Sequence, residues 1–165
     1  MRALIAAVMF LGLAGVVSAQ DGKFKSKEGK FSATFPGEPK NITQKAGDID
    51  LNITIAEKGG GGMAVIYSDL PAAAVKDAKP KDILDKGEKG LVDNFKAKVT
   101  KSKDIEFGKQ KFPAREITAE KDPIQLKITI ILVENRLYQV FVVGPKDLVE
   151  GKDAEDFFKS FEITK

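Results

Sequence analysis

The sequence predicts an α+β domain, an antiparallel β-sheet with helices packed on it, and three patterns carry that prediction. Short runs in which apolar and polar residues alternate dominate both halves of the chain. One amphipathic stretch at helical spacing, Pro80 to about Lys98, stands between them. Tight connectors at Gly108, Asp122-Pro123 and Glu134-Asn135 join four later runs in succession, as an antiparallel meander requires.

From Phe24 to Phe35 an apolar residue, a basic run, a Glu28-Gly29 turn and an alternating Phe31 to Phe35 stretch read as a hairpin, with Phe31, Ala33 and Phe35 on the core face. Pro36-Gly37 stops it. Lys40 to Lys45 is a further short strand, and Ala46-Gly47-Asp48 a turn. Ile49, Leu51, Ile53 and Ile55 then alternate with Asp50, Asn52, Thr54 and Ala56, which predicts a half-buried strand with its isoleucine face on the core. Gly59 to Gly62 returns the chain into Met63 to Tyr67, a strand apolar on both faces.

Pro80 suits the first position of a helix, where its missing N–H would be unpaired anyway. Ile83, Leu84, Leu91, Val92 and Phe95 form the helix's apolar stripe. Gly87 and Gly90 each cost about 1 kcal/mol against Ala in a helix interior, so they imply close packing on the sheet or a kink. The strands Thr100 to Phe107, Lys111 to Glu120, Ile124 to Val133 and Leu137 to Val143 follow, with Asn135 expected to take a left-handed turn conformation. Lys146 to Val149 makes one turn. Asp153 is expected to cap a short closing helix through Phe157 and Phe158, with Glu155 and Asp156 also placed to favour the helix dipole. Phe161 and Ile163 then dock on the core.

Composition removes whole classes of chemistry. The chain has 165 residues with no His, no Cys and no Trp. Disulfides, thiolate nucleophiles, Cys/His zinc sites, His-ligated haem and Ser-His pairs are therefore excluded. The remaining resource is carboxylate, lysine, arginine and tyrosine chemistry, and nothing in the sequence calls for a cofactor or a metal.

Residues 1–19 read as a secretory signal peptide. Arg2 is followed by fifteen uncharged residues, Ala3 to Val17, and then by Val17-Ser18-Ala19, small at the positions before a cleavage site. Fifteen residues fall short of the roughly 20 that cross a bilayer. Cleavage after Ala19 would leave 20–165 as a single domain, secreted or periplasmic, with no transmembrane segment after cleavage. Loss of Arg2 lowers the net charge of +3 by one, which implies no special partner.

Five stretches point to a family. Phe31-Ser32-Ala33-Thr34-Phe35-Pro36-Gly37, Tyr67-Ser68-Asp69-Leu70-Pro71, Phe112-Pro113-Ala114-Arg115-Glu116, Asn135-Arg136-Leu137-Tyr138-Gln139-Val140 and Phe157-Phe158-Lys159-Ser160-Phe161 together resemble small exported bacterial proteins of the Mog1/PsbP-like type. The resemblance spans nearly all of 20–165. It implies a central antiparallel sheet with helices on both sides, an α/β/α sandwich, and a role in binding or assembly. Its motifs are apolar and turn residues, so no functional residue transfers.

Candidate chemistry narrows to a few side chains. The tetraglycine Gly59 to Gly62 lacks the Lys-Ser/Thr pair of a phosphate loop. Lys96, Lys98, Lys101, Lys103, Lys109 and Lys111 lack aromatic platforms other than Phe107, so they read as a solvated edge rather than a nucleic-acid surface. Arg115 alternates with Ile117 and Ala119, on the apolar side of its strand, and a charge there must be paired. Glu134 is a candidate partner, and the functional reading makes Arg115 an anion-binding group beside Tyr138. Tyr138 shares its face with Arg136, Val140 and Val142. Arg115, Arg136 and Tyr138 are thus the candidate binding-surface residues.

The functional expectation is a secreted, non-enzymatic binding or accessory domain of the cell envelope with a protein or small-molecule partner and no nucleic acid. The alternatives are a carboxylate-based hydrolase or transferase, or a carrier of a small apolar ligand. Oligomeric state is left open.

Overall fold

The computed structural model describes residues 22–164, so the signal-peptide reading and the start of the folded part at Gln20 lie outside the described residues. In chain order the elements are β1 (Phe24–Ser26), β2 (Phe31–Ala33), β3 (Lys40–Ala46), β4 (Ile49–Lys58), β5 (Gly61–Asp69), α1 (Ala72–Val75) and α2 (Pro80–Phe95). There follow β6 (Lys98–Phe107), β7 (Phe112–Lys121), β8 (Ile124–Val133), β9 (Arg136–Gly144), α3 (Lys146–Val149), α4 (Lys152–Ser160) and β10 (Glu162–Ile163).

Seven strands form one antiparallel sheet in the order β3-β4-β5-β9-β8-β7-β6. The meander β6 to β9 runs back across the sheet until β9 pairs with β5, which joins it to the early hairpin. A second sheet, β1-β2-β10, covers one face together with α3 and α4. The other face carries α2, which packs chiefly on β7 and β8. The architecture is the α+β sandwich of the sequence reading, helices on both sides of a central sheet.

Strand parity sorts the core into two clusters. Met63, Val65, Tyr67, Tyr138, Val140 and Val142 point toward Phe24, Phe31, Phe157 and Phe161. Ala64, Leu126, Ile128, Ile130, Leu137 and Phe141 point toward Ile83, Leu84 and Leu91 of α2. With both faces covered, the central strands carry apolar residues on both faces, as β8 shows in Ile130, Ile131 and Leu132. Each fully buried Leu, Ile or Phe contributes roughly 1.5–3 kcal/mol.

Glycines set two close approaches. Gly87 faces the sheet, where an added Cβ would lie 3.3 Å from Leu137 Cδ2 and 3.5 Å from Ile130, so it lets α2 sit down on β8 and β9. Gly90 has nothing within 4 Å and serves no such purpose. Gly59 and Gly60 close β4 to β5 with φ of 57° and 78°, a mirror-type hairpin turn that glycine adopts without strain. Gly61 then lies against Gly144 and the Val143 carbonyl, leaving no room for a side chain.

Four expectations are corrected. In β4 the buried residues are Thr54 and Ala56, while Ile49, Leu51, Ile53 and Ile55 are only half-buried. The Thr54 and Ala56 face is covered by the small sheet and α4, whereas α2 lies over the far half of the sheet. The helix ends at Phe95 and not Lys98, because Lys96 turns left-handed at φ 52° and its N–H closes on Asp93. At the β8–β9 turn Glu134, not Asn135, has positive φ. Asn135 instead holds Leu70, donating from Nδ2 to its carbonyl and accepting its N–H. Asp153 does not cap α4: Gly151 holds that position with no side-chain hydrogen bond, and Asp153 pairs with Lys58.

Candidate functional site

The three candidate residues fall on opposite faces of the sheet. Arg115, in β7, points toward α2 with Ile117, whereas Tyr138, in β9, points into the phenylalanine cluster. The reading of Arg115 as an anion-binding group beside Tyr138 therefore does not hold geometrically. Nor is Glu134 its partner.

Arg115 is 5% exposed and is held by three carboxylates from two elements. Its Nε donates to Asp104 Oδ1 at 2.6 Å, and its Nη1 to Asp85 Oδ1 at 2.5 Å and Glu88 Oε2 at 2.8 Å. Hairpin register places Asp104 directly across from Arg115 in the β6–β7 pair. One turn of α2 presents Asp85 and Glu88 together. Ser102 donates to the same Glu88 oxygen at 2.9 Å. The charge-assisted bonds from Arg115 hold the Asp85 and Asp104 carboxyls below their ordinary range, and the Asp104 bond, followed by those from Asp85 and Glu88, raises Arg115.

This cluster floors an open cleft of about 530 Å³ between α2 and β6, lined also by Lys81, Val92 and Val99. Its acids are engaged by Arg115, Lys81 and Lys89, so the cleft presents ion pairs to solvent.

Arg136 and Tyr138 form a clamp on the β1–β2 turn. Arg136 makes a two-pronged pair with Asp69, Nε to Oδ1 and Nη2 to Oδ2 at 2.7 Å each, and its Nη1 donates to the Glu28 carbonyl at 2.7 Å. Its guanidinium lies 4.8 Å above the ring of Tyr67. Tyr138 is 1% exposed and donates its hydroxyl to the Gly29 carbonyl at 2.8 Å. Burial raises both Tyr138 and Tyr67 above the usual tyrosine value, and for Tyr67 the Glu28 charge adds to it. The Arg136 bonds lower Asp69.

A third feature is an apolar surface on the α2 side of β3, β4 and β5. Register aligns Ile42 with Ile53 and Ile53 with Ile66 in one row, with Leu51 and Ile55 on either side, all half-exposed. After β5, Leu70 and Pro71 lead into α1, whose Ala72, Ala73 and Ala74 are exposed. Sequence reasoning assigned Leu51, Ile53 and Ile55 to the core because alternation shows a strand has an apolar face, not whether another element reaches it.

Asp85, Glu88 and Asp104 were not singled out as partners of Arg115. One signal for them exists: Glu88 falls between Leu84 and Leu91 on the buried stripe of α2, and an acid there needs a cation opposite.

No protein-family model matches the chain, and no curated protein matches it. The fold is similar to that of cyanobacterial PsbP (CyanoP) from Synechocystis sp. PCC 6803, with a TM-score of 0.60 at 12% identity over 94% of this chain and 98% of that one. A protein of Bacteroides thetaiotaomicron aligns at a TM-score of 0.40 and 17% identity over 87% of this chain and 48% of its own. The cyanobacterial structure shows the PsbP-like fold that the five sequence stretches imply. Among the described residues no helix is long and apolar enough to cross a membrane.

Proposed function

We propose that the protein is an exported, non-enzymatic binding or accessory domain of the cell envelope that meets a protein partner through the isoleucine surface of β3 to β5. The observation that carries this reading is that surface itself. Ile42, Leu51, Ile53, Ile55 and Ile66 lie side by side and partly exposed, with Ile55 and Ile66 also packed against the core under α2. Contiguous exposed apolar area of this kind on a soluble domain marks a contact surface. Export rests on the reading of residues 1–19.

The charged cleft supports the same reading from the other side. A hydrolase or transferase needs a free base or nucleophile, and the acids of the cleft are tied to Arg115 and the flanking lysines. Arg136 and Tyr138 are spent on the β1–β2 turn.

The test is capture from envelope extract with the purified protein as bait, with Ile53→Asp as a second bait checked by circular dichroism. The expected result is a stoichiometric protein partner lost with Ile53→Asp. A partner kept by the folded variant would move the contact elsewhere, and ester or glycoside turnover by the partner-free protein would replace the reading with the hydrolase.

A further inference from the structure

Arg115 does not use the whole of its fork. Its Nε and Nη1 bond Asp104, Asp85 and Glu88, and its Nη2 bonds none of them. Arg136 differs, since all three of its nitrogens are engaged. Among the described residues no buried side-chain nitrogen or oxygen lacks a hydrogen-bond partner, so Nη2 of Arg115 is not sealed in the core. With the residue only 5% exposed, that nitrogen is reached through the cleft between α2 and β6 that Arg115 lines. A largely desolvated arginine thus turns one unused donor toward a cavity of about 530 Å³.

Unused acceptors accompany it. Glu88 bonds both Arg115 and Ser102 through Oε2 and leaves Oε1 free, and Asp104 bonds Arg115 through Oδ1 and leaves Oδ2 free. The Nε and Nη2 of a guanidinium share one edge, the edge with which Arg136 grips both oxygens of Asp69. Asp104 is held at that edge of Arg115 by a single oxygen, so its carboxyl stands beside the open Nη2. Val92 of α2 and Val99 of β6 supply an apolar wall.

Charge selects the ligand. Three cations, Lys81, Lys89 and Arg115, meet four carboxylates in the cleft, which leaves one negative charge in excess. A carboxylate would accept from Nη2 but meet the acids around it. An ammonium would suit the acids but leave Nη2 unmatched and face the guanidinium. A polyol offers hydroxyls of both senses but nothing apolar for the valines. A carboxamide is neutral and planar, and carries an acceptor and donors on adjoining atoms.

We propose that the cleft between α2 and β6 binds a carboxamide, whose carbonyl accepts from Arg115 Nη2, whose N–H donates to Asp104 Oδ2, and whose aliphatic stem lies on Val92 and Val99. The group is that of a free small amide or of a glutamine or asparagine side chain on another protein. The site is separate from the isoleucine surface of β3 to β5, which lies on the other side of α2, and either can fail alone.

Amide-resolved NMR titration of the purified protein with propionamide tests it, carried to about 200 mM because so small a ligand binds weakly. Saturating shifts are expected, concentrated at Val92, Val99, Ser102 and Asp104. Propionate, propylammonium and sorbitol should each bind at least about five-fold more weakly, since each leaves a charge or a polar group of the cleft unmatched. Asp104→Asn keeps an oxygen for Arg115 Nε but replaces the free acceptor with a donor. With its fold checked by circular dichroism, it is expected to weaken propionamide about ten-fold. N-acetylglutamine methylamide separates the two sources: tighter binding than propionamide assigns the group to a protein side chain, weaker binding to a free small amide. Scattered shifts that do not saturate overturn the inference. So does propionate, propylammonium or sorbitol binding as tightly as propionamide, or a folded Asp104→Asn variant that binds it unchanged.

Discussion

The hydroxyl of Tyr138 donates to the carbonyl of Gly29, 2.8 Å away across 109 positions of sequence, and Arg136 two residues earlier donates to the carbonyl of Glu28. Two neighbouring side chains of β9 thus hold two consecutive carbonyls of the β1–β2 turn. The central sheet is fastened to the small one by hydrogen bonds as well as by the phenylalanines between them. The clamp also explains Tyr67, whose ring lies beneath Arg136 and against Tyr138 at 6.5 Å.

Replacing Tyr138 with Phe keeps the ring and leaves the Gly29 carbonyl without its donor. The expected loss is about 1–2 kcal/mol of unfolding free energy, the range for an abandoned buried acceptor. Arg136→Lys gives up the two-pronged Asp69 pair and the Glu28 bond. Urea melts of the two single variants and the double should show non-additivity, because once either bond is gone the turn is free to leave the other. Strict additivity would show that the turn is held elsewhere.

Arg115→Met removes the charge but keeps much of the aliphatic bulk. Glu88 is left largely buried without a cation, so a loss of about 2 kcal/mol is expected, below the roughly 3–5 of a fully buried pair because Asp85 and Asp104 are half-exposed. Arg115→Lys recovers only part of this, since one ammonium cannot present the fork that reaches both α2 and β6. A Lys variant as stable as the original would show that charge alone, not geometry, matters there.

Two glycines should respond with opposite signs to the same substitution. A Cβ at Gly61 would lie 2.1 Å from the Val143 carbonyl and 2.8 Å from Gly144 Cα, backbone atoms that cannot yield without moving β9. Gly61→Ala is expected to cost about 2–3 kcal/mol. Gly90 faces open space in the interior of α2, and Gly90→Ala is expected to stabilise by about 0.5–1 kcal/mol. Thermal melts of both, read against the parent, decide it.

Much of the fold was legible because strand period and tight turns are local. The bounds of Ile124 to Val133 and of Lys146 to Val149 follow from apolar runs and from Pro145. The pairing need of Arg115 was equally plain, since alternation put a charge on an apolar face. Its partners were not, because Asp85 and Glu88 arrive from a helix whose position over the sheet no local pattern fixes. Likewise the isoleucines of β4 look like core in sequence. Only the placement of α2 over β7 and β8 leaves them half-uncovered. Thr54 and Ala56 are buried for the complementary reason, and polarity gave no hint of it.

Stability should be flat across neutral pH and fall at both ends. With no His, no side chain has an ordinary pKa between about 5 and 8. At the acid end Asp69, Asp85 and Asp104 are held low by their arginines, so their contribution is complete above the unfolded value of about 4 and is lost as pH falls through the folded values. At the alkaline end Tyr67 and Tyr138 are raised by burial, so the folded state favours their neutral forms. That contribution is whole below about pH 10 and is lost above it, as the unfolded chain ionises first. Urea midpoints measured against pH should therefore show two limbs that respond to different variants. Arg115→Met should make the acid limb alone shallower, since Asp85 and Asp104 lose the guanidinium that chiefly holds them low, while the Lys81 bond to Asp85 and the Arg136 bonds to Asp69 remain. Tyr138→Phe should shallow the alkaline limb alone. An acid limb unchanged in Arg115→Met would mean that Asp85 and Asp104 gain nothing from the guanidinium beside them.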